Sequence, residues 1–170
     1  MTVPSLAIEI AVDCPDWGRV PNLEALVADC LRAALDETGD VVREGAEVSL
    51  LFCDDARIRE LNRQFRAKDK PTNVLSFPGP EPLEEAHFLG DIALAFETID
   101  REAQEQGKTL EGHCRHMIVH GFLHLLGYDH EDAVEAEEME ASEIRALHAL
   151  GVENPYHDDK ERETDVNGRA

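Results

Sequence analysis

Basic side chains are scarce in this 170-residue chain: 16 Lys and Arg face 37 Asp and Glu, for a formal charge of −21 at neutral pH. An average of that sign repels nucleic acid and anionic membrane, so a polyanionic partner would require a local exception or an intervening metal ion. Long apolar runs are missing too. No stretch approaches the roughly 18 to 20 residues of a bilayer crossing, and the opening segment MTVPSLAIEIAVD lacks the cationic start of a signal peptide. No membrane partner is expected, and a cytoplasmic location is. Cysteine is sparse, with Cys14, Cys30, Cys53 and Cys114 far apart and no C-x-x-C pair. That spacing argues against a disulfide framework or a cysteine-built structural zinc, and leaves four reduced thiols expected in the core.

The length suits one domain with one hydrophobic core. Leu6 to Val12 alternates and reads as a strand, broken by Cys14, Pro15, Asp16, Trp17 and Gly18. After Asn22, the expected helix cap, apolar residues from Leu23 to Leu35 fall at helical spacing until Thr38, Gly39 and Asp40 end the run. Glu47 to Cys53 is a second strand, Asp54 caps a helix over Ala56 to Phe65, and shorter strands are expected at Asn73 to Phe77 and Leu89 to Phe96. Helices follow at Thr98 to Gln106, Leu110 to Leu126 and Asp132 to Leu150, closed by Gly107, Gly127 and Gly151. The fold class is therefore α+β: a single small mixed β-sheet packed by helices, with a histidine-bearing helix at its centre.

That central helix carries the densest chemical signal. Four of the eight histidines lie between His113 and His124, and His130 follows at once. At about 100° per residue, His113, His116, His120 and His124 share a sector of about 80°, while Met117, Ile118, Val119, Phe122, Leu123, Leu125 and Leu126 make the other directions apolar. A buried row of imidazoles needs partners for its ring nitrogens. His120 and His124, one turn apart, suit a single cation, and Gly127 lets the chain leave the helix so that His130 can add a third nitrogen. The resulting H-x-x-x-H-x-x-G-x-x-H spacing is that of metzincin-type zinc peptidases, with one departure. Gly121 stands where those enzymes place a glutamate base, and glycine cannot take a proton. Three neutral imidazoles leave a cation its full charge and an open position for water or a phosphate oxygen, as in catalytic rather than structural sites. His116 is expected behind the ligands or facing substrate, with an ordinary hydrogen-bonded core histidine as the alternative. Asp129 either orients an imidazole or serves the turn.

The acid average has one local exception. Between Arg57 and Lys70 six cationic side chains (Arg57, Arg59, Arg63, Arg66, Lys68, Lys70) stand against Glu60 and Asp69. Between Asp129 and Glu143 the reverse holds, with eight carboxylates and no Lys or Arg. Arg57, Arg59 and Arg63 fit a solvated helix face, whereas Arg66, Lys68 and Lys70 lie in the loop toward Pro71, where phosphate binding is the sharper expectation. Arg66 suits a phosphate held by two parallel hydrogen bonds.

Three segments together carry a resemblance: R-A-K-D-K-P-T-N-V-L-S-F-P from Arg66 to Pro78, L-G-D-I from Leu89 to Ile92, and H-M-I-V-H-G-F-L-H-L-L-G-Y-D-H followed by the acidic Glu135 to Glu140. They resemble the YbeY family of bacterial metal-dependent endoribonucleases, also called rRNA maturation factors, over about Leu50 to Tyr156. The resemblance implies a single-domain α+β fold, one zinc ion held by His120, His124 and His130, and an important arginine at Arg66. It also implies cleavage of single-stranded RNA in rRNA processing, notably at the 16S 3′ end, and in ribosome quality control. Residues 1–155 would then be one catalytic domain, and 156–170 a disordered polar tail.

The expected catalytic set is Arg66, His120, His124 and His130, with Arg66, Lys68, Lys70 and His116 meeting substrate. Expected partners are single-stranded RNA, the small ribosomal subunit and its assembly factors, for a chain that acts as a monomer. The nucleophile is water or an RNA 2′-hydroxyl, which would leave different product ends, and the base is unassigned. Two rivals stand beside this reading: a metal hydrolase of another substrate such as a peptide, and a non-enzymatic assembly factor with structural zinc. A three-histidine site also accepts nickel, cobalt or copper.

Overall fold

The computed structural model describes residues 5–156. Strands β1 (Ala7–Val12), β2 (Glu47–Cys53), β3 (Val74–Pro78) and β4 (Phe88–Ala95) form one sheet in the order β1-β2-β4-β3. The first three in that order run parallel and β3 pairs antiparallel with β4 at the edge, so the sheet is mixed. Helices α1 (Leu23–Thr38), α2 (Asp55–Arg66), α3 (Phe96–Glu105), α4 (Leu110–Leu125) and α5 (Ala133–Ala149) pack the sheet. This is the expected class, a small mixed sheet with the histidine-bearing helix α4 against it.

Alternation along β2 decides which side holds the main core. Val48, Leu50 and Phe52 face the large cluster shared with α1, α4 and α5. Leu51 and Cys53 face a smaller cluster with Ile58 of α2, Ala93 and Ala95. Trp17, in a short 3-10 helix at Pro15–Arg19, is wholly buried, edge-on to Phe52 and Phe96, and its Nε1 donates to the Cys53 carbonyl at 2.9 Å. All four cysteines are buried free thiols, and burial pushes Cys30 and Cys53 up to about 12.

Helix ends follow local chemistry. Asp54, Thr109 and Asp132 each accept a backbone N–H three residues on, capping α2, α4 and α5. Asn22 does not behave as expected: it precedes α1 in the left-handed region at φ 52° and its side chain makes no capping bond. Phe96, expected to end a strand, instead opens α3. Among the described residues no helix is long and apolar enough to cross a membrane. The expected tail lies outside the described residues apart from Tyr156, which is packed into the structure as described below.

Candidate metal and phosphate site

Helix α4 is buried on nearly all sides, and the partners its imidazoles need come from three other segments. His113 Nε2 meets Glu102 of α3 at 2.9 Å. His116 Nε2 meets Oε2 of Glu143, on α5, at 3.3 Å, and His120 Nδ1 donates to Oε1 of the same carboxylate. His124 Nδ1 donates to the Tyr128 carbonyl at 3.0 Å. That last bond exists because Gly127, at φ 101°, folds the chain back over the end of the helix.

These bonds decide which nitrogens are left. With both Nδ1–H groups spent on a carboxylate and a carbonyl, His120 and His124 present bare Nε2 atoms only 3.2 Å apart. Two such lone pairs facing one another repel unless a cation lies between them. The separation is close to the ~3.3 Å edge of a tetrahedron built on Zn–N bonds of about 2.0–2.1 Å. His130 lies beside the pair, its ring centroid 5.2 Å from that of His124 and 5.9 Å from that of His120. Asp129 belongs there as well, for the ligating atoms of His124, Asp129 and His130 fall within 4.8 Å of one another. Asp129 Oδ1 accepts the His130 backbone N–H at 2.8 Å, which turns its carboxylate toward the site. Burial, then His120 and His130, hold His124 below the usual histidine range, so it stays neutral and able to ligate.

A cleft of about 580 Å³ joins this group to the arginine. Arg66, His120, His124, Asp129 and His130 all line it, together with β3 from Val74 to Ser76. Arg66 is the last residue of α2; its Nη2 donates to the Ser76 carbonyl at 2.5 Å and its guanidinium lies 5.4 Å from the centre of the Phe77 ring. Lys68 and Lys70 are exposed in the loop beyond, whose shape is set by backbone bonds to the buried Asn62. Neither is among the described residues that line the cleft. Arg57 pairs with Glu60 and Arg59 with Asp69 on the helix surface, as a solvated face would.

One sequence expectation changes and another gains a reason. His116 is buried at 6 % exposure against Glu143, and the described residues lining the cleft do not include it, so it lies behind the imidazoles rather than facing substrate. Gly121 has a packing reason: a Cβ there would stand 3.0 Å from Ile92 Cγ2 and 3.2 Å from both Ser76 Oγ and Val74 Cγ2. The position where zinc peptidases carry their base here points into the sheet.

Residue-by-residue reading of the sequence missed Glu143, Tyr156, Asn73 and Glu102. Glu143 is fully buried on the face of α5 that carries Met139, Ala146 and Leu147. A carboxylate on an apolar helical face was the available signal. Burial by itself would raise its pKa; hydrogen bonds from His116 and His120 reverse this and hold it below the usual carboxylate range. Asn73 lines the cleft and donates to Glu102 at 3.1 Å, which links the cleft to His113.

Comparison with known proteins gives the chain's family. The family profile of endoribonuclease YbeY matches residues 16–151. The endoribonuclease YbeY of Beijerinckia indica is 54% identical over 157 residues, covering 88% of this chain and 77% of that protein. That of Chelativorans sp. is 50% identical, covering 90% and 94%. The solution structure of TM1509 from Thermotoga maritima superposes with a TM-score of 0.57 at 28% identity, over 93% of this chain and 95% of that one. The matched span runs from the 3-10 helix past α5 and contains the whole histidine and arginine cleft, so the chain belongs to the YbeY endoribonuclease family.

Proposed function

We propose that this protein is a zinc-dependent endoribonuclease specific for single strands, acting in the cytoplasm on rRNA, at the 16S 3′ end, and in ribosome quality control. The observation that carries the reading is the pair of bare imidazole nitrogens 3.2 Å apart, facing an arginine across one cleft. His120, His124 and His130 would hold one zinc ion. When bound, zinc supplies a Lewis acid for a phosphate oxygen and lowers the pKa of water from about 15.7 toward 7.

The chain's own groups divide the remaining work. Arg66 holds the scissile phosphate and offsets the charge that develops on it. Lys68 and Lys70, just outside the cleft, attract the adjoining backbone. Among the described residues lining the cleft, Asp129 is the one carboxylate, and with Gly121 facing the sheet it is the group placed to accept the proton of the attacking water or 2′-hydroxyl. With acid spread over most of the surface, target choice comes from docking on the small ribosomal subunit or its assembly factors, and a monomer suffices.

Metal analysis and a single-strand RNA assay on the wild type, Arg66→Ala and Asp129→Asn test this. Both variants are expected to keep about one zinc per chain, while cleavage falls by about 10²–10³ for the arginine and 10²–10⁴ for the aspartate. Cleavage unchanged in Arg66→Ala overturns the phosphate role. Metal-replete wild type that cuts no RNA would favour the assembly-factor reading.

A further inference from the structure

The bonds around Glu143 reach beyond α4 and α5. Its Oε1 accepts from His120 Nδ1, and its Oε2 accepts both from His116 Nε2 and from the hydroxyl of Tyr156. The Tyr156 hydroxyl also lies 3.4 Å from His116 Nε2, and its ring is edge-on to that imidazole at 5.5 Å. Tyr156 itself is held by the chain after α5. Its backbone N–H donates to Asn154 Oδ1 at 2.8 Å, and Lys108 Nζ donates to the Pro155 carbonyl at 3.1 Å.

A carboxylate wholly removed from water is costly unless its charge is matched and its lone pairs are filled. Three donors fill them here, and all three belong to neutral groups once His116 and His120 are neutral. The matching charge therefore has to come from beyond His120, where its Nε2 meets that of His124. The need also runs the other way. A free imidazole has two tautomers of similar energy, and only the Nδ1–H form leaves Nε2 able to bind a cation.

We infer that Glu143 and Tyr156 form a buried clamp that fixes the tautomer and ring orientation of His120 and so sets the metal affinity, which makes the segment after α5 part of the metal site. The inference rests on the reading of His120, His124 and His130 as ligands. Glu143 and Tyr156 are positioning residues: they act through His120 and lie behind it. Glutamine at 143 would keep the size but put an NH₂ group against one of three donors, so the donor–donor conflict would drive His120 toward the wrong tautomer. Phenylalanine at 156 would remove one of the two donors to Oε2 and leave His120 its direct partner.

The test is zinc affinity of the metal-free full chain, by competition with a chromophoric chelator, together with the ¹⁵N–¹H NMR spectrum of the imidazoles. Glu143→Gln should weaken zinc binding by about 10- to 100-fold, and Tyr156→Phe by about fivefold. In the metal-free wild type His120 should be the Nδ1–H tautomer and in Glu143→Gln should shift toward Nε2–H, a change that mere loss of packing would not produce. Folded Glu143→Gln that binds zinc within twofold of wild type, with the tautomer unmoved, overturns the inference. If Glu143→Gln does not fold, Tyr156→Phe decides: unaltered affinity overturns the clamp. Wild type with no measurable zinc affinity overturns instead the ligand reading on which the clamp rests.

Discussion

On one wall of the cleft, His120 and His124 project from a helix buried on nearly every side, each with its second nitrogen tied to a fully buried carboxylate or to a backbone carbonyl. On the other wall, Arg66 ends an exposed helix and is held by one carbonyl and the face of Phe77. The histidine wall is preorganised: bonds within the protein orient both imidazoles. The arginine wall is tethered at its tip and stands at the exposed end of its helix. A metal tolerates little displacement of its ligands, while a charge steering a flexible polymer gains from reach. Loss on the first wall should therefore be all-or-none and on the second graded.

His124→Ala tests the rigid wall most severely. It removes one of the paired nitrogens, and metal content in replete protein should drop below about half an ion per chain with RNA cleavage lost. The fold should survive, since His124 is half-buried at the cleft and outside the apolar core cluster. Metal analysis beside the RNA assay decides it. Full metal content, or cleavage within tenfold of wild type, would mean the two walls do not differ as described.

Gly121→Glu gives the next largest effect and probes the same wall from behind. On paper it restores the H-E-x-x-H pattern of a zinc peptidase. In the fold, a Cβ at that position already presses on Ile92, Ser76 and Val74, and the carboxylate would enter the sheet. Overpacking together with an unpaired buried charge should cost about 3 kcal/mol or more, read as a lowered midpoint in urea. A variant as stable as wild type that cuts casein would show that the position can reach the cleft after all.

The two walls were not equally legible in the sequence. Period-two alternation located the first strand, and the spacing of His120, His124, Gly127 and His130 pointed to a candidate metal group because all four lie within one short segment. The stripe also drew in His116, since helical angle alone cannot tell an imidazole that faces a cleft from one that faces a carboxylate on another helix. Glu143 and Glu102 went unseen for the same reason: their histidine partners lie 27 and 11 residues away, and only the packing of α5 and α3 on α4 brings them together. Tyr156 was read as tail because the polar run begins beside it, yet one hydroxyl bond into a buried carboxylate outweighs the composition of its neighbours. On the arginine wall the surplus of charge was plain, but not which cations were already paired, because Arg59 and Asp69 meet only after the chain turns at the end of α2.

That turn supplies the smallest and most discriminating effect. Ala67, immediately after Arg66, caps α2 at φ 56° and ψ 29°, the left-handed region that costs an alanine roughly 1–2 kcal/mol. Glycine there removes the cost and returns part of the gain to the unfolded chain, so Ala67→Gly should stabilise the protein by about 0.5–1 kcal/mol. In a domain of this size that is a rise of roughly 1–4 °C in Tm. If the arginine wall is a tether, its tip is set by Ser76 and Phe77 and not by the strained hinge, and cleavage should change by less than about twofold. A tenfold loss of cleavage with the fold and metal intact would place the precision of the site in the backbone at Ala67. The arginine wall would then be as preorganised as the histidine wall, only by strain instead of burial.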